Sequence, residues 1–160
     1  MDMMIAGIAL AISLCSLLIS FGVWRRSFRP IVTVTVKTHA AGNGAILYDL
    51  VLLNSGAIPA KNILVTAEAG SLASALGADA TAENKARWLA CFGRVLHILH
   101  NNDRTSCSFG TTQANNGGFW KHDATIQVSI TYEGWFGWKY RDQQNVRIAD
   151  SDSFTGYSWG

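Results

Sequence analysis

The sequence predicts a mainly β protein: an antiparallel β-sandwich of about seven strands with a short helical insertion, preceded by one N-terminal transmembrane helix. Three observations predict this fold. Residues 3–24 form an apolar run without a charged side chain, runs of strand-like apolar patterning recur along the rest of the chain, and turn-forming clusters separate those runs. We divide the 160 residues into an anchor with its basic flank (1–29), a β domain (30–150) and an aromatic tail (151–160).

The N-terminal run is long enough to cross a membrane. At about 1.5 Å per residue, about twenty-two residues span the roughly 30 Å of bilayer hydrocarbon. A cleaved signal peptide would start with positive charge and end at a small-x-small site, whereas this run follows Asp2 and ends at Trp24, before Arg25 and Arg26. We therefore interpret the run as a retained anchor.

Basic residues follow the helix. Because Lys and Arg are held on the cytoplasmic side of a membrane, Arg25, Arg26 and Arg29 predict an outside N-terminus and a cytoplasmic domain, with the bacterial inner membrane as the expected location. Trp24 occupies the position of an interfacial aromatic, and the arginines can contact lipid phosphates. These four residues are the expected membrane interface.

Small residues form a stripe along the helix at alternating steps of three and four, the spacing that keeps one face against a partner helix. In lipid, close backbone approach and serine hydrogen bonds drive helices together, so we expect other transmembrane helices to bind here. A hetero-complex is favoured and a homo-oligomer is the alternative. The serines could instead bond back to their own helix, and Gly7 with Ala11 offers a weaker competing face. The helix seam, as we call this stripe, consists of Ala6, Ala9, Ser13, Ser16 and Ser20.

The domain and its tail together are electrically neutral. Of 13 Lys and Arg and 11 Asp and Glu, three arginines belong to the juxtamembrane flank and Asp2 to the N-terminus, which leaves ten of each sign in residues 30–160. There is no basic excess to release counterions from a phosphate backbone, so the composition argues against nucleic-acid binding.

Three cysteines give an odd count, and Cys15 lies within the helix. Cys91 and Cys107 could pair if the domain were exported, whereas a reducing cytoplasm would keep them as thiols. Neither belongs to a Cys-x-x-Cys motif, so the usual spacing of a zinc or redox site is missing.

The first part of the domain is typical of three strands joined by short links. Residues 31–38 alternate valines with Thr and Lys, as in a half-buried strand. Residues 45–53 are almost continuously apolar, which suits a central strand, and residues 62–67 place Ile63 and Val65 on one face.

The corner between the second and third strands carries a resemblance. The order strand, Asn54-Ser55-Gly56-x-x-Pro59-Ala60, strand is similar to the Asn-x-Gly-x-x-x-Ala corner of many bacterial immunoglobulin-like sandwiches. It resembles the adhesion-module and LEA14-like domains of short membrane-anchored proteins. Asn and Gly permit the positive φ of a corner, and Ala60 permits close packing. The resemblance implies an immunoglobulin-like fold and no activity.

Residues 70–99 are the least regular part of the chain. We expect a short helix there, capped by Asp79 or Thr81 and inserted between strands. Residues 95–99 and 105–111 are then expected to form the next two strands, separated by a turn.

The end of the domain has the clearest strand pattern. Ile126, Val128, Ile130 and Tyr132 alternate with polar residues within the strand predicted at residues 124–132, and we expect them to face inward. Residues 133–137 form a hairpin connection, and residues 138–148 are expected to return as the last strand.

No sequence motif indicates catalysis or a cofactor. The serines and cysteines lack a nucleophile-elbow context, and the glycine-bearing runs lack a phosphate-loop or dinucleotide fingerprint. His97-x-x-His100 with Asp103 is the only hint of a metal, but residues three apart on a strand point to opposite faces. We expect no enzyme, no cofactor and no metal site.

Aromatic residues are the remaining candidates for binding. We expect Tyr132 and Tyr140 in the core, and at least one of Trp135 and Phe136 exposed at the hairpin, where it would contact another protein or the lipid headgroups. The tail adds three aromatics able to enter a partner's groove. They are Phe154, Tyr157 and Trp159.

Together these patterns predict a single-pass membrane-anchored interaction module, a structural or accessory subunit of a larger membrane complex. The alternative is a self-associating membrane effector whose cytoplasmic sandwich senses a ligand. The two differ in what the helix seam contacts, a different helix or a copy of itself.

Overall fold

The computed structural model describes residues 2–151. It begins with one long helix, α1 (Asp2–Ser27), and continues into a β domain. The strands are β1 (Val32–Ala41), β2 (Ala45–Asn54), β3 (Ala60–Ala67), β4 (Val95–Leu99), β5 (Arg104–Gln113), β6 (Thr125–Glu133) and β7 (Lys139–Arg147). Two short helices, α2 (Ala69–Ala75) and α3 (Ala82–Trp88), lie between β3 and β4.

The strands form two antiparallel sheets. One has three strands in the order β1-β2-β5, and the other has four in the order β4-β3-β6-β7. In the first sheet Val32 pairs with Asn54, and in the second Lys61 pairs with Glu133. The start of β1 therefore lies beside the end of β2, and the start of β3 beside the end of β6.

One hydrophobic core contains residues from both sheets. The predicted inward faces are confirmed, because the three valines of β1 and the alternating apolar residues of β6 are all buried. The apolar run of β2 is the central strand of its sheet, as expected. Tyr140 is partly buried and stacks on Tyr132, with ring centroids 5.5 Å apart.

Each predicted strand is present. β4 has the predicted bounds, and the others differ from prediction by at most three residues at an end. The predicted helix corresponds to α3, and Thr81 rather than Asp79 is its N-cap, since the Thr81 hydroxyl accepts a hydrogen bond from the amide of Asn84 at 3.2 Å.

Helix α2 was not predicted. Its seven residues are Ala, Gly, Ser and Leu, which carry no helical apolar period, and its cap is a Glu rather than one of the short polar residues preferred there. The Glu68 carboxylate accepts hydrogen bonds from the amides of Ser71 and Gly70, which lowers its pKa. The helix therefore exists through this cap and its packing on β6.

The segment between β5 and β6 contributes more to the core than its polar sequence suggests. Phe119 and Trp120 are fully buried, and their rings meet edge to face at 4.6 Å. The indole N–H of Trp120 donates to the carbonyl of Phe109. The chain thus closes this end of the core with a loop.

Candidate membrane interface

Helix α1 is exposed along its length. The 23 residues Ile5–Ser27 are long and apolar enough to cross a membrane, and every one of them is exposed. At about 1.5 Å per residue the span is about 35 Å, against roughly 30 Å for bilayer hydrocarbon. The helix surface is therefore free to meet lipid or other helices.

The junction between helix and domain is built around the side chain of Asn54, which is 0% exposed. Its Oδ1 accepts hydrogen bonds from the amides of Ile31 at 3.2 Å and Gly56 at 3.0 Å. Its Nδ2 donates to the carbonyls of Ile58 at 2.8 Å and Leu99 at 3.1 Å. One side chain thus bonds the segment leaving α1, the β2–β3 corner and the end of β4.

Gly56 lies directly against that segment. A Cβ at this position would come within 2.4 Å of the Arg29 carbonyl oxygen and the Ile31 nitrogen, and 2.6 Å of the Pro30 Cα. The expectation that the corner needs a positive φ is wrong, since neither Gly56 nor Asn54 has one. The glycine is required instead because two backbone segments approach closely.

A third contact to the junction comes from β6. The Tyr132 hydroxyl donates to Asp142 Oδ2 at 2.6 Å and lies 3.4 Å from the Pro30 carbonyl oxygen. Burial raises the pKa of Tyr132, and the neighbouring Asp142 carboxylate raises it further. The segment that joins helix to domain is therefore held by both sheets.

The β6–β7 hairpin lies next to this junction. Gly134 is so close to Pro30 that an added Cβ would be 3.1 Å from the proline ring. The turn that follows, Trp135–Gly137, exposes 47% of Trp135 and 79% of Phe136. The predicted exposure at the hairpin is confirmed, and Phe136 is held there in the left-handed region at φ 58°.

The hairpin also contacts the end of the helix. The Arg25 guanidinium lies over the Trp138 ring, 4.4 Å from its centroid, and Phe136 packs beside Trp138 at 5.8 Å. At the end of the helix, the ring centroids of Trp24 and of Phe28, the residue after α1, lie 5.9 Å apart, and both residues are at least one third exposed. The helix end and the hairpin thus form one continuous surface.

We call this surface the aromatic collar. It comprises Trp24, Phe28, Trp135, Phe136 and Trp138 with Arg25, Arg26 and Arg29. Indole rings concentrate at the headgroup level of a membrane, phenyl rings bury at the boundary between headgroups and acyl chains, and guanidinium groups bind phosphates. The collar therefore has the chemistry of a surface that rests in the headgroup layer.

The sequence identified part of the collar and missed the rest. Trp24 and the arginines follow from their place after the helix, and Trp135 and Phe136 from their place in a hairpin. Phe28 and Trp138 were not expected to belong to the interface. The contact between Arg25 and Trp138 joins residues far apart in the sequence, which no local pattern indicates.

The helix seam is exposed, and one of its serines shows the alternative bonding. Ser16 donates to the Ile12 carbonyl at 2.9 Å within its own helix. Such a bond satisfies the hydroxyl without a partner helix. Phe154, Tyr157 and Trp159 lie outside the described residues.

The histidine hint of a metal gains no support. His97 and His100 are both exposed, and within residues 2–151 no group of three or more His, Cys, Asp or Glu side chains could hold a metal ion. Within residues 2–151, the collar is the surface whose composition indicates a binding role.

Comparison with known proteins gives one match. No curated protein and no solved structure matches the sequence. A family model described as a domain of unknown function, DUF8453, matches residues 2–152, so it spans the helix, the junction and the β domain as one unit. The chain therefore belongs to the DUF8453 family.

Proposed function

We propose that this protein is a single-pass membrane-anchored interaction module, a structural or accessory subunit of a larger membrane complex with no catalysis of its own. The observation that carries the proposal is the aromatic collar, in which the exposed hairpin and the helix end meet through Arg25 and Trp138. A domain with this surface next to its own anchor holds its sheets at a fixed height above the membrane.

We infer an immunoglobulin-like sandwich for the domain. Its support is the pair of antiparallel sheets, of three and four strands, that contribute to one core. The Asn54 and Gly56 corner, which resembles that of membrane-anchored immunoglobulin-like modules, has a specific task in this chain because it binds the segment leaving the helix.

The collar contacts lipid headgroups in this proposal. Its rings lie beside the helix end, where the bilayer surface must be if α1 spans the membrane. Exposed Trp and Phe are stabilised by moving into the membrane interface, and each of the three arginines is stabilised by about 1 kcal/mol near anionic lipid. A protein partner at the same place would have to displace the headgroups.

A depth measurement tests this contact. In a variant with the native cysteines replaced by Ala, Phe136→Cys or Asn43→Cys is labelled with an environment-sensitive fluorophore and reconstituted into lipid nanodiscs. Asn43 lies in the exposed β1–β2 turn at the other end of the domain. We expect a blue-shifted emission, quenched by lipid-borne quenchers, at position 136 and a water-like emission at position 43. Equal, water-like spectra would contradict the proposal.

We propose that the domain lies in the cytoplasm and the N-terminus outside, in the bacterial inner membrane, because Arg25, Arg26 and Arg29 follow the helix. A reporter active only outside the cytoplasm should be silent when fused after Gly160 and active when fused before Met1. The reverse pattern would overturn the orientation without affecting the collar.

The complex is assembled through the helix seam in this proposal, because α1 has no contact with its own domain along that stripe. Replacing Ser13 by Leu puts bulk into the seam, whereas Leu14→Ile changes a neighbouring lipid-facing residue. Membrane helix contacts of about 0.6–2 kcal/mol each make a single bulky residue sufficient to weaken the assembly.

Copurification in mild detergent measures the effect. We expect Ser13→Leu to reduce the recovery of copurifying membrane proteins several-fold and Leu14→Ile to leave it unchanged. Loss of crosslinks between copies of this chain, with no other protein recovered, would favour a self-associating effector. If neither variant changes the recovery, α1 serves as an anchor alone, and the proposal that the complex assembles through the helix seam is contradicted.

A further inference from the structure

Two cysteines that belong to different parts of the fold face one cavity. Cys91 lies between α3 and β4, and Cys107 lies on β5 in the three-stranded sheet. Both are partly buried free thiols. They line a cavity of about 360 Å³ together with core residues of both sheets, Leu52, Ile63 and Val65.

The neighbours of each cysteine hold the pair in place. Phe92 meets Phe109 edge to face, with ring centroids 5.8 Å apart. The residue that follows Cys91 therefore contacts the residue two positions after Cys107. Cys107 and Phe109 point to the same side of β5, because side chains two apart on a strand share a face. The Gly93 amide donates to the Val65 carbonyl at 2.9 Å and fixes the Cys91 segment to β3.

The two thiols differ in acidity. The interaction with the Cys91 side chain lowers the pKa of Cys107, although burial and Asp49 oppose the shift. The same interaction, followed by burial, raises the pKa of Cys91, whose thiol donates to the Trp88 carbonyl at 3.8 Å. Cys107 is therefore the sulfur that first becomes a thiolate.

We propose that Cys91 and Cys107 are a reversible dithiol that forms a disulfide across the two sheets by exchange with a disulfide donor. The Cys107 thiolate attacks one sulfur of the donor, forms a mixed disulfide and releases the donor's first thiolate. Cys91 then loses its proton and attacks the sulfur of Cys107, releasing the second thiolate. The donor gains two electrons and two protons, and the two cysteines together lose the same number of each.

The disulfide would join the Cys91 segment, which is bonded to β3 of one sheet, to β5 of the other. Cross-linking a loop of about 15 residues restricts the unfolded chain, and we expect the thermal midpoint to rise by about 10 °C. In the cytoplasm the pair would rest as thiols and close under disulfide stress. In an oxidising compartment it would be closed at all times.

The test uses the full chain in mild detergent with Cys15→Ala, which removes the remaining thiol. The protein is incubated with oxidised glutathione and examined by intact-mass and peptide mapping. We expect loss of the mass of two hydrogen atoms, a linked Cys91–Cys107 peptide and a higher thermal midpoint, all reversed by a dithiol reductant. Two free thiols, or glutathione on both cysteines, would overturn the proposal.

Single variants test the order of attack. Cys91→Ser should accumulate one glutathione at Cys107, and Cys107→Ser should react several-fold more slowly at Cys91. Equal rates would overturn the assignment of Cys107 as the attacking sulfur. The Cys15→Ala protein tests the pairing by itself, so a variant that fails to fold leaves that result intact.

Discussion

The side-chain oxygen of Asn54 lies 3.2 Å from the backbone nitrogen of Ile31, so the chain is bonded to the end of β2 before its own first strand begins. Ser55 reinforces the contact, because its amide donates to the Ile31 carbonyl at 3.0 Å. Only residues 28–31 separate α1 from β1. The connection between membrane helix and domain is therefore a packed joint rather than a flexible linker.

The first prediction concerns the stability of this joint. Asn54→Ala removes a buried amide and leaves four backbone groups without partners, and each such group costs about 1–3 kcal/mol. Relaxation and water offset part of this, so we expect a loss of at least about 3 kcal/mol in denaturant unfolding. Asn145→Ala, on an exposed position of β7, should change stability by less than about 0.5 kcal/mol. Similar values for both variants would show that the joint contributes little.

The second prediction separates close approach from glycine flexibility. Gly56→Ala places a methyl group onto the backbone of residues 29–31, whereas at Gly44 a Cβ has no neighbouring atom within 4 Å. Overpacking of this kind costs about 1–3 kcal/mol. We expect Gly56→Ala to lower the free energy of unfolding by that amount and Gly44→Ala to leave it nearly unchanged. Chemical denaturation of both variants in the same detergent decides the matter.

The third prediction distinguishes the collar from the core. Trp135 is 47% exposed and Trp120 is fully buried. Trp135→Ala should therefore cost less than about 1 kcal/mol, while Trp120→Ala should cost about 3–5 kcal/mol, the range for truncating a buried aromatic. Thermal unfolding of the two variants provides the comparison. A large loss at Trp135 would assign that ring to the core and remove it from the collar.

The fourth prediction follows from the raised pKa of Tyr132, caused by burial and by Asp142. Because the folded-state pKa lies above the unfolded value of about 10, the protonated hydroxyl stabilises the folded protein fully at pH values below about 10. This stabilisation is lost as the pH rises from the unfolded-state pKa to the folded-state pKa. The stability advantage of the wild type over Tyr132→Phe should therefore shrink above about pH 10. Tyr140→Phe, which alters the stacked neighbouring ring, is the matched control. A difference that stays constant with pH would contradict the linkage.

Local patterns were sufficient to predict most of the fold. The alternation of β6 and β1 depends only on neighbouring residues, and so does the apolar length of α1. Each of these elements forms where its own side chains favour it. Boundaries shifted by up to three residues, because ladder partners extend or shorten a strand beyond its own apolar pattern.

The joint could not be predicted in this way, and the cysteine count named Cys91 and Cys107 as a possible pair without showing that they share a cavity. Asn54 in the sequence indicates a corner, but its partner Leu99 lies on another strand and Ile31 precedes β1. Cys91 and Cys107 line one cavity beside the packed rings of Phe92 and Phe109. These arrangements depend on how the sheets meet, which no single stretch of sequence encodes.

The contact between Arg25 and Trp138 also fixes which side of the helix the domain overhangs. At 3.6 residues per turn, Arg25 points about 140° away from the mean direction of the helix seam. The hairpin therefore lies on the far side of α1 from Ala9, Ser13 and Ser16. Helices pack with their axes about 8–10 Å apart, much less than the width of a domain of this size. The joint therefore turns the domain away from the side of α1 on which a partner helix would pack in the proposed complex.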